Sequence, residues 1–378
     1  MGAGVAGGHG YRCRVSTAPT TIDVAIPGAP YPVVIGADLL ATIDQHVKVP
    51  THAERVAVVS SGLPYERYAP PVAEALRRRG LHVTVVALPD GEAHKTMATL
   101  EECCQAFARI PLGRSDFVVA VGGGVIGDLT GFAAAIWNRG VPIVQVPTTL
   151  LGQVDSAIGG KTAVDLSQGK NLVGAFHQPL AVVADTGTLA TLPVRQRRAG
   201  LAEVLKYGFI ADPEILATLE DQPAAAVAGQ PDLVDELVRR SVAVKARVVA
   251  ADEREAGERA LLNYGHTVGH AIEALGAYAT FLHGEAIALG MVFAARLGER
   301  LGVSPPGLAD RTVQVLQGLG LPTGGVELDA AAVWELLRRD KKARHGVRFV
   351  LCSHPGAAQV VDQPDPALVD EVLASLAH

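Results

Sequence analysis

Phe117-Val-Val-Ala-Val-Gly122-Gly-Gly-Val-Ile-Gly-Asp128-Leu-Thr-Gly-Phe-Ala-Ala-Ala-Ile-Trp-Asn138 is the stretch on which the fold turns. Its first five residues are apolar and mostly β-branched, short enough for a buried strand, and Leu129 to Asn138 carries helical spacing. Between them Gly122, Gly124 and Gly127 satisfy G-x-G-x-x-G at a strand-to-helix junction. Such glycines let the backbone approach a pyrophosphate, and the N–H groups that open the next helix attract its charge. A glycine turn needed only for tight packing would match the pattern equally well. An ordinary dinucleotide fold would also place an acidic residue ~20 positions later, where this chain has Val144-Gln145-Val146.

Outward from this junction, short β-branched runs alternate with helical ones. Arg55 to Ser60 and His82 to Leu88 read as strands, Tyr68 to Arg79 and Thr96 to Ile110 as helices, and Ile143 to Val146 as the next strand. That alternation implies a parallel sheet covered on both faces, with ligands gathering at the carboxyl ends of its strands. From about Pro193 the pattern changes. Arg195–Phe209, Pro213–Glu220, Pro231–Ala250, Arg259–Leu275, Gly284–Leu301 and Ala309–Gly318 all carry helical periodicity, and only Arg348–Cys352 looks like strand. The expected division is a loose extension over 1–19, an α/β domain over 20–193 and a mostly helical domain over 194–378.

Composition narrows the function. Of 378 residues, 33 are Lys or Arg and 39 Asp or Glu, a net charge of −6 with no long basic run, which argues against a general nucleic-acid binder. Hydrophobic residues reach 49% and charged ones only 19%, so disorder of the whole chain is excluded. The apolar stretch Ala286–Ala295 is too short to span a bilayer and reads as a buried helix. The N-terminus lacks a charged segment followed by an apolar core, so a cytoplasmic protein is expected, with no membrane partner. Cys13, Cys103, Cys104 and Cys352 show neither C-x-x-C spacing nor the density of a secreted scaffold.

Two further segments carry chemistry. Pro147-Thr-Thr-Leu-Leu-Gly-Gln-Val-Asp155, Gly159-Gly-Lys-Thr162 and Gly169-Lys-Asn171 follow a strand and offer hydroxyl, ammonium and amide groups to an anionic polar ligand. The second of these is no phosphate-binding P-loop, because that spacing requires glycine where Asp155 stands. In Asn263-Tyr-Gly-His-Thr-Val-Gly-His270, His266 and His270 are four apart on one helix face, a metal-ligand spacing, but Thr267 replaces the glutamate of a zincin peptidase. Leu282-His-Gly-Glu285 adds a third histidine, and Glu203 in Gly200-Leu-Ala-Glu-Val-Leu-Lys206 is a candidate carboxylate ligand. On an amphipathic helix such a glutamate is otherwise a solvated charge.

Together, residues 122–128, the run Pro147–Pro179, Gly200–Lys206, Val248–Glu255 and Leu262–Glu273 with His283-Gly-Glu285 resemble the 3-dehydroquinate synthase family of the sugar phosphate cyclases. The resemblance extends from about Thr20 to the end. It implies an NAD-dependent, metal-dependent lyase of the shikimate pathway, acting on the seven-carbon sugar phosphate DAHP. Oxidation, phosphate elimination, re-reduction and intramolecular aldol closure would give 3-dehydroquinate with no net redox change. One departure from relatives is Ser60-Ser61, where Asp or Asn is common.

The resemblance also implies residue roles. The metal, zinc with cobalt as an alternative, would be held by Glu203, His266 and His283, so that His270 would face substrate rather than metal. Asp155, Lys161, Asn171, Lys206, Lys245, Arg259, Asn263 and His270 would bind substrate, together with Lys341 or Lys342. Arg139 would reach the phosphate from a neighbouring subunit, implying a homodimer. For NAD the matching positions are Asp90, Gly91, Glu92, Lys95, Gly123, Gly124, Val125, Ile126, Gly127, Asp128, Thr148, Thr149, Lys161, Lys170, Thr188, Leu189 and Thr191. The rival readings are another sugar phosphate cyclase, such as an aminodehydroquinate synthase, and a metal-dependent polyol dehydrogenase, which would release reduced NAD.

Overall fold

The computed structural model describes residues 18–255, 257–276, 280–339 and 346–378. Its centre is a seven-stranded sheet built from β1 (Thr20–Val24), β2 (Tyr31–Gly36), β3 (Arg55–Ser60), β4 (His82–Ala87), β5 (Phe117–Gly122), β6 (Ile143–Pro147) and β9 (Ala181–Asp185). A separate hairpin, β7 (Lys161–Leu166) with β8 (Gly169–Phe176), precedes β9 in the chain. The spatial order is β1-β2-β9-β6-β5-β3-β4, parallel throughout except for the antiparallel β1–β2 pair. The β-branched composition of these strands suits burial on both faces, and β5 and β6 are buried at every position.

The chain moves outward from β3 to β4 and then returns to the other side of β3 to form β5. This reversal leaves a crevice between the carboxyl ends of β3 and β5, the general place for a ligand in an open α/β sheet. The helix after β5 begins at Gly124, not at Leu129. Its glycines serve close packing inside the helix: a Cβ on Gly127 would sit 2.9 Å from Gln145 Oε1, and one on Gly131 would sit 2.4 Å from Thr162 Cγ2. The glycine-rich segment is therefore the first turn of the helix itself, pressed against β6 and the hairpin.

The second half is helical: Val194–Ile210, Pro213–Asp221, Pro223–Ala228, Pro231–Ala251, His266–Leu275, His283–Arg300, Leu308–Gly318, Ala330–Arg339 and Pro366–Ala374. One apolar core runs from Val33, Ile35, Val182 and Ala184 of the sheet into these helices. Val194–Ile210 is exposed in its first turn and enclosed beyond it, with every residue from Ala199 to Ile210 buried. Ala286–Ala295 is buried in the helix His283–Arg300, as its composition predicts.

Two expectations fail here. Arg259–Leu275 is not one helix but a 3-10 segment, Glu258–Asn263, followed by the helix from His266. Gly265, at φ +77°, makes the break, and it has to be glycine because a Cβ there would lie 2.9 Å from the Ile287 carbonyl oxygen. Arg348–Cys352 is also not alone: β10 (Arg348–His354) pairs antiparallel with β11 (Ala357–Asp362). No position of β11 is fully buried, so its sequence shows no alternation of apolar and polar residues.

Candidate active site at the carboxyl ends of the sheet

In the β3/β5 crevice, Ser60 Oγ donates to Val121 O at 2.7 Å, joining the two strand ends, and Ser61 Oγ donates to Asp90 Oδ1 at 2.9 Å, tying in the turn after β4. Gly123 is the N-cap of the helix from Gly124, whose first-turn N–H groups lack intrahelical partners. A Cβ on Gly123 would meet Thr149 Cγ2 at 3.0 Å, and one on Gly124 would meet Ser156 Oγ at 3.0 Å. The turn thus brings bare backbone and the Thr148-Thr149 segment together, with Val125, Ile126 and Gly127 completing the first turn. Thr148 N donates to Gly122 O at 2.9 Å, and Thr149 Oγ1 accepts from Gly152 N at 3.1 Å.

Around this cradle, Lys95 Nζ lies 2.6 Å from both Asp128 Oδ2 and Asn171 Oδ1. Burial pushes the Asp128 carboxyl above its usual range, against the opposing pull of Lys95. Gly91, at φ +98°, turns the chain after β4 and presents Glu92 to Lys170 at 3.1 Å. Thr188, Leu189 and Thr191 lie in the 3-10 segment after β9, where Tyr68 OH pairs with Thr191 Oγ1 at 2.6 Å.

The second half supplies a tight group of metal-ligand atoms. Glu203 from the enclosed helix, His266 from the first residue of its helix and His283 from the first residue of the next converge within 4.8 Å. The Nε2 atoms of His266 and His283 stand 3.2 and 3.3 Å from Glu203 Oε1. Each ring spends its other nitrogen elsewhere: His266 Nδ1 donates to Tyr264 O at 3.1 Å, and His283 Nδ1 lies 3.0 Å from Glu273 Oε2. The Nε2 lone pairs are thereby turned toward a carboxylate oxygen. Both Glu203 oxygens are buried without a well-formed hydrogen bond, although Lys206 is ion-paired with Oε2. Three electron-rich atoms facing one point fit a divalent cation, and two histidines with one carboxylate suit zinc-like metals. For His283, burial lowers basicity, but the Glu203 and Glu273 carboxylates outweigh it and raise its pKa to about 10.

Spacing alone suggests His266 and His270 as a ligand pair, and the geometry corrects this. Their rings stand nearly perpendicular with centroids 5.2 Å apart. The ligand atoms of His270 gather instead with Glu273 and His283. Glu203 is fully buried, not a solvated charge on an amphipathic helix.

Beside the metal-ligand group lies a set of buried charges. Asp155, on a wide π-type turn over Gly152–Ser156, has Oδ1 at 2.5 Å from Lys245 Nζ, 3.7 Å from Lys206 Nζ and 3.0 Å from Tyr207 OH. Burial works against its ionisation, but Lys245 and Lys206 hold it well below the usual carboxylate range. Arg259 donates to the Glu253 carbonyl and, at 3.4 Å, to that of Gly159. Glu255 joins two candidates, accepting from Lys161 Nζ at 2.6 Å and Asn263 Nδ2 at 2.9 Å.

Two expectations fall elsewhere. Arg139 is exposed beyond the far end of the helix Gly124–Ile136, a run of about 20 Å at 1.5 Å per residue. Lys341 and Lys342 lie outside the described residues. Residue patterns gave no role to Tyr207, Glu255 or Glu273. Glu273 stands three residues after His270, and that helical spacing was the available signal.

The chain is similar to known proteins along most of its length. Models of the 3-dehydroquinate synthase N-terminal and C-terminal regions match residues 85–199 and 200–343. A curated 3-dehydroquinate synthase of Halorhodospira halophila is 48% identical over 346 residues, spanning 91% of this chain and 96% of that protein. One of Nocardia farcinica is 44% identical over 366 residues, spanning 96% and 97%. Among solved structures, a 2-epi-5-epi-valiolone synthase from Streptomyces hygroscopicus subsp. jinggangensis 5008 with NAD+ and Zn2+ bound superposes with a TM-score of 0.84 at 28% identity, covering 92% of this chain and 96% of that one. A 2-deoxy-scyllo-inosose synthase complexed with carbaglucose-6-phosphate, NAD+ and Co2+ gives 0.84 at 27%, covering 94% and 100%. A probable glycerol dehydrogenase from Sinorhizobium meliloti 1021, at 16% identity and a TM-score of 0.66, shares the fold. With these identities over nearly its whole length, the chain belongs to the 3-dehydroquinate synthase family.

Proposed function

We propose that this chain is a 3-dehydroquinate synthase: it converts DAHP to 3-dehydroquinate and inorganic phosphate, with NAD and a divalent metal as cofactors. The observation that carries the reading is the placement of Glu203, His266 and His283 directly against the Lys206, Asp155 and Lys245 cluster, through the shared Lys206. A polyol dehydrogenase needs a metal and NAD but no such store of cations for an anionic substrate. When bound, NAD supplies reversible hydride acceptance and the metal, zinc or cobalt, supplies polarisation of a substrate oxygen.

The chain's own residues then bind and orient. Lys161, Lys206, Lys245 and Arg259 face the carboxylate and phosphate, while Asn171, Asn263, His270 and Asp155 take the hydroxyls. Lys95 and Asp128 hold Asn171 and the glycine turn in register beneath the dinucleotide. Oxidation of the substrate acidifies the neighbouring C–H, so phosphate leaves by elimination; re-reduction returns NAD to its starting state, and ring opening followed by aldol closure forms the carbocycle. The enzyme is accordingly a phosphate-eliminating lyase, which we place in the cytoplasm; no helix of the described residues is long and apolar enough to cross a membrane. Exposed Arg139 is read as serving the site of a second copy in a homodimer, and the division near residue 193 as separating the NAD-binding part from the metal-binding part.

The test is to incubate purified protein with DAHP, NAD+ and Zn2+, following phosphate, product mass and reduced NAD. Equal phosphate and dehydroquinate with unchanged NAD is expected. Net NADH would favour the dehydrogenase, and turnover of amino-DAHP in place of DAHP would favour the aminodehydroquinate reading.

A further inference from the structure

We infer that Glu273 is a positioning residue for His283, and that Lys170 ties it to Glu92 so that dinucleotide binding tightens the metal. This rests on the metal reading above. Glu273, on the helix His266–Leu275, is 4% exposed and each of its oxygens serves a different donor. Oε2 lies 3.0 Å from His283 Nδ1, and Oε1 lies 3.3 Å from Lys170 Nζ. The same Lys170 nitrogen is 3.1 Å from Glu92 Oε1.

The chain of contacts therefore crosses four separate segments: the turn after β4, the start of β8, the helix that also carries His266 and the helix that His283 opens. A carboxylate held at both oxygens cannot rotate, so it sets the plane of the His283 ring and keeps its Nδ1 proton, leaving Nε2 toward Glu203. Asp90, bonded to Ser61 after β3, sets the turn Asp90-Gly91-Glu92 beside the crevice in which the proposed function puts the dinucleotide. Fixing Glu92 there holds Lys170 on Glu273, and by linkage the metal must raise NAD affinity by the same factor.

The test measures Zn2+ affinity by competition with a chromophoric chelator, with and without saturating NAD+, in the full chain and in Glu273→Gln, Lys170→Met and His283→Ala. In the unaltered protein NAD+ should tighten Zn2+ about fivefold or more. Glu273→Gln offers one acceptor where two are needed; it should bind Zn2+ about 10- to 100-fold more weakly, with the NAD+ effect reduced below about twofold. Lys170→Met, at a partly exposed site, should weaken Zn2+ severalfold without NAD+ and keeps the inference testable should Glu273→Gln fail to fold. Zn2+ affinity in Glu273→Gln or Lys170→Met equal to that of the unaltered protein, or a full NAD+ effect surviving in Glu273→Gln, would overturn it. His283→Ala separates the two readings: if it still binds Zn2+ as tightly as the unaltered chain, the metal site itself is wrong, whereas its loss of metal beside an unaffected Glu273→Gln defeats the positioning role alone.

Discussion

Gly284→Ala should damage both the fold and the metal-ligand group, although residue 284 contributes no ligand atom. A Cβ at this position would lie 1.9 Å from the carbonyl oxygen of Ala199 and 2.5 Å from its carbon, both backbone atoms that cannot swing away. Restoring ordinary contact near ~3.4 Å requires the helices His283–Arg300 and Val194–Ile210 to part by about 1.5 Å. Ala199 is one turn before Glu203, and Gly284 is next to His283, so the movement opens the 3.3 Å gap between Glu203 Oε1 and His283 Nε2. Overpacking of this kind costs up to about 3 kcal/mol. Over a 378-residue unit with an unfolding entropy of about 2.1 cal/mol/K per residue, that lowers Tm by about 4 °C. Scanning calorimetry of the metal-free protein reads the stability loss, and chelator competition should show Zn2+ binding at least ~10-fold weaker, since such sites tolerate only about 0.5 Å of misplacement. A variant with unchanged Tm and unchanged Zn2+ affinity would refute the reasoning.

Lys245 is expected to set an alkaline limit on substrate binding. Burial, with Lys206 and Arg259 nearby, outweighs Asp155 and brings its pKa from 10.5 down to about 8. Between these values the unfolded chain holds the extra proton, so the destabilisation from burying this ammonium is full below pH 8 and fades as pH rises toward 10.5. Binding of an anion runs the other way, because neutral Lys245 cannot pair with it. The pH profile of kcat/KM should fall above about pH 8 and should extend upward in Lys245→Arg, whose guanidinium stays charged; an unmoved limb in that variant would assign it to another group. Lys95→Met should cost about 3 kcal/mol in a denaturant melt, the lower end for a broken buried pair because Asp128 retains 18% exposure. Adding Asp128→Asn should recover part of that loss, and a single variant as stable as the starting protein would show the pair to be dispensable.

Much of the fold was legible because it is written in local periodicity. β-branched runs alternating with helical ones specify a parallel sheet, and the apolar density of Ala286–Ala295 specifies a buried helix wherever it packs. The glycine segment was legible as a junction but not as a helix start, because Gly124 and Gly127 are poor helix formers chosen for contacts with Ser156 and Gln145 that lie elsewhere in the chain. The break at Gly265 was hidden for the same reason: it answers to the Ile287 carbonyl on the following helix. β11 escaped notice because none of its positions is fully buried, so Ala357–Asp362 carries no apolar face that would alternate with a polar one.

The site divides along the same line. Sequence by itself determined which chemistry was available: a glycine junction after a strand, lysines and an asparagine after the next, and a histidine-rich segment near a Glu-x-x-Lys helix. It also placed His266 and His270 one turn apart, which any helix does. Family resemblance grouped Glu203 with His266 and His283, which spacing did not; only the tertiary structure decided that their ligand atoms lie within 4.8 Å, that Glu203 is buried, and that Asp155 lies between Lys245 and Tyr207. Those meetings depend on where three helices begin and how closely glycines 200, 265, 284 and 290 let them approach, down to a 1.8 Å allowance at Gly290 against the Gly265 carbonyl. Periodicity reports which face of an element is apolar; the distance between two elements is set by packing of atoms far apart in the chain, and no local pattern encodes it.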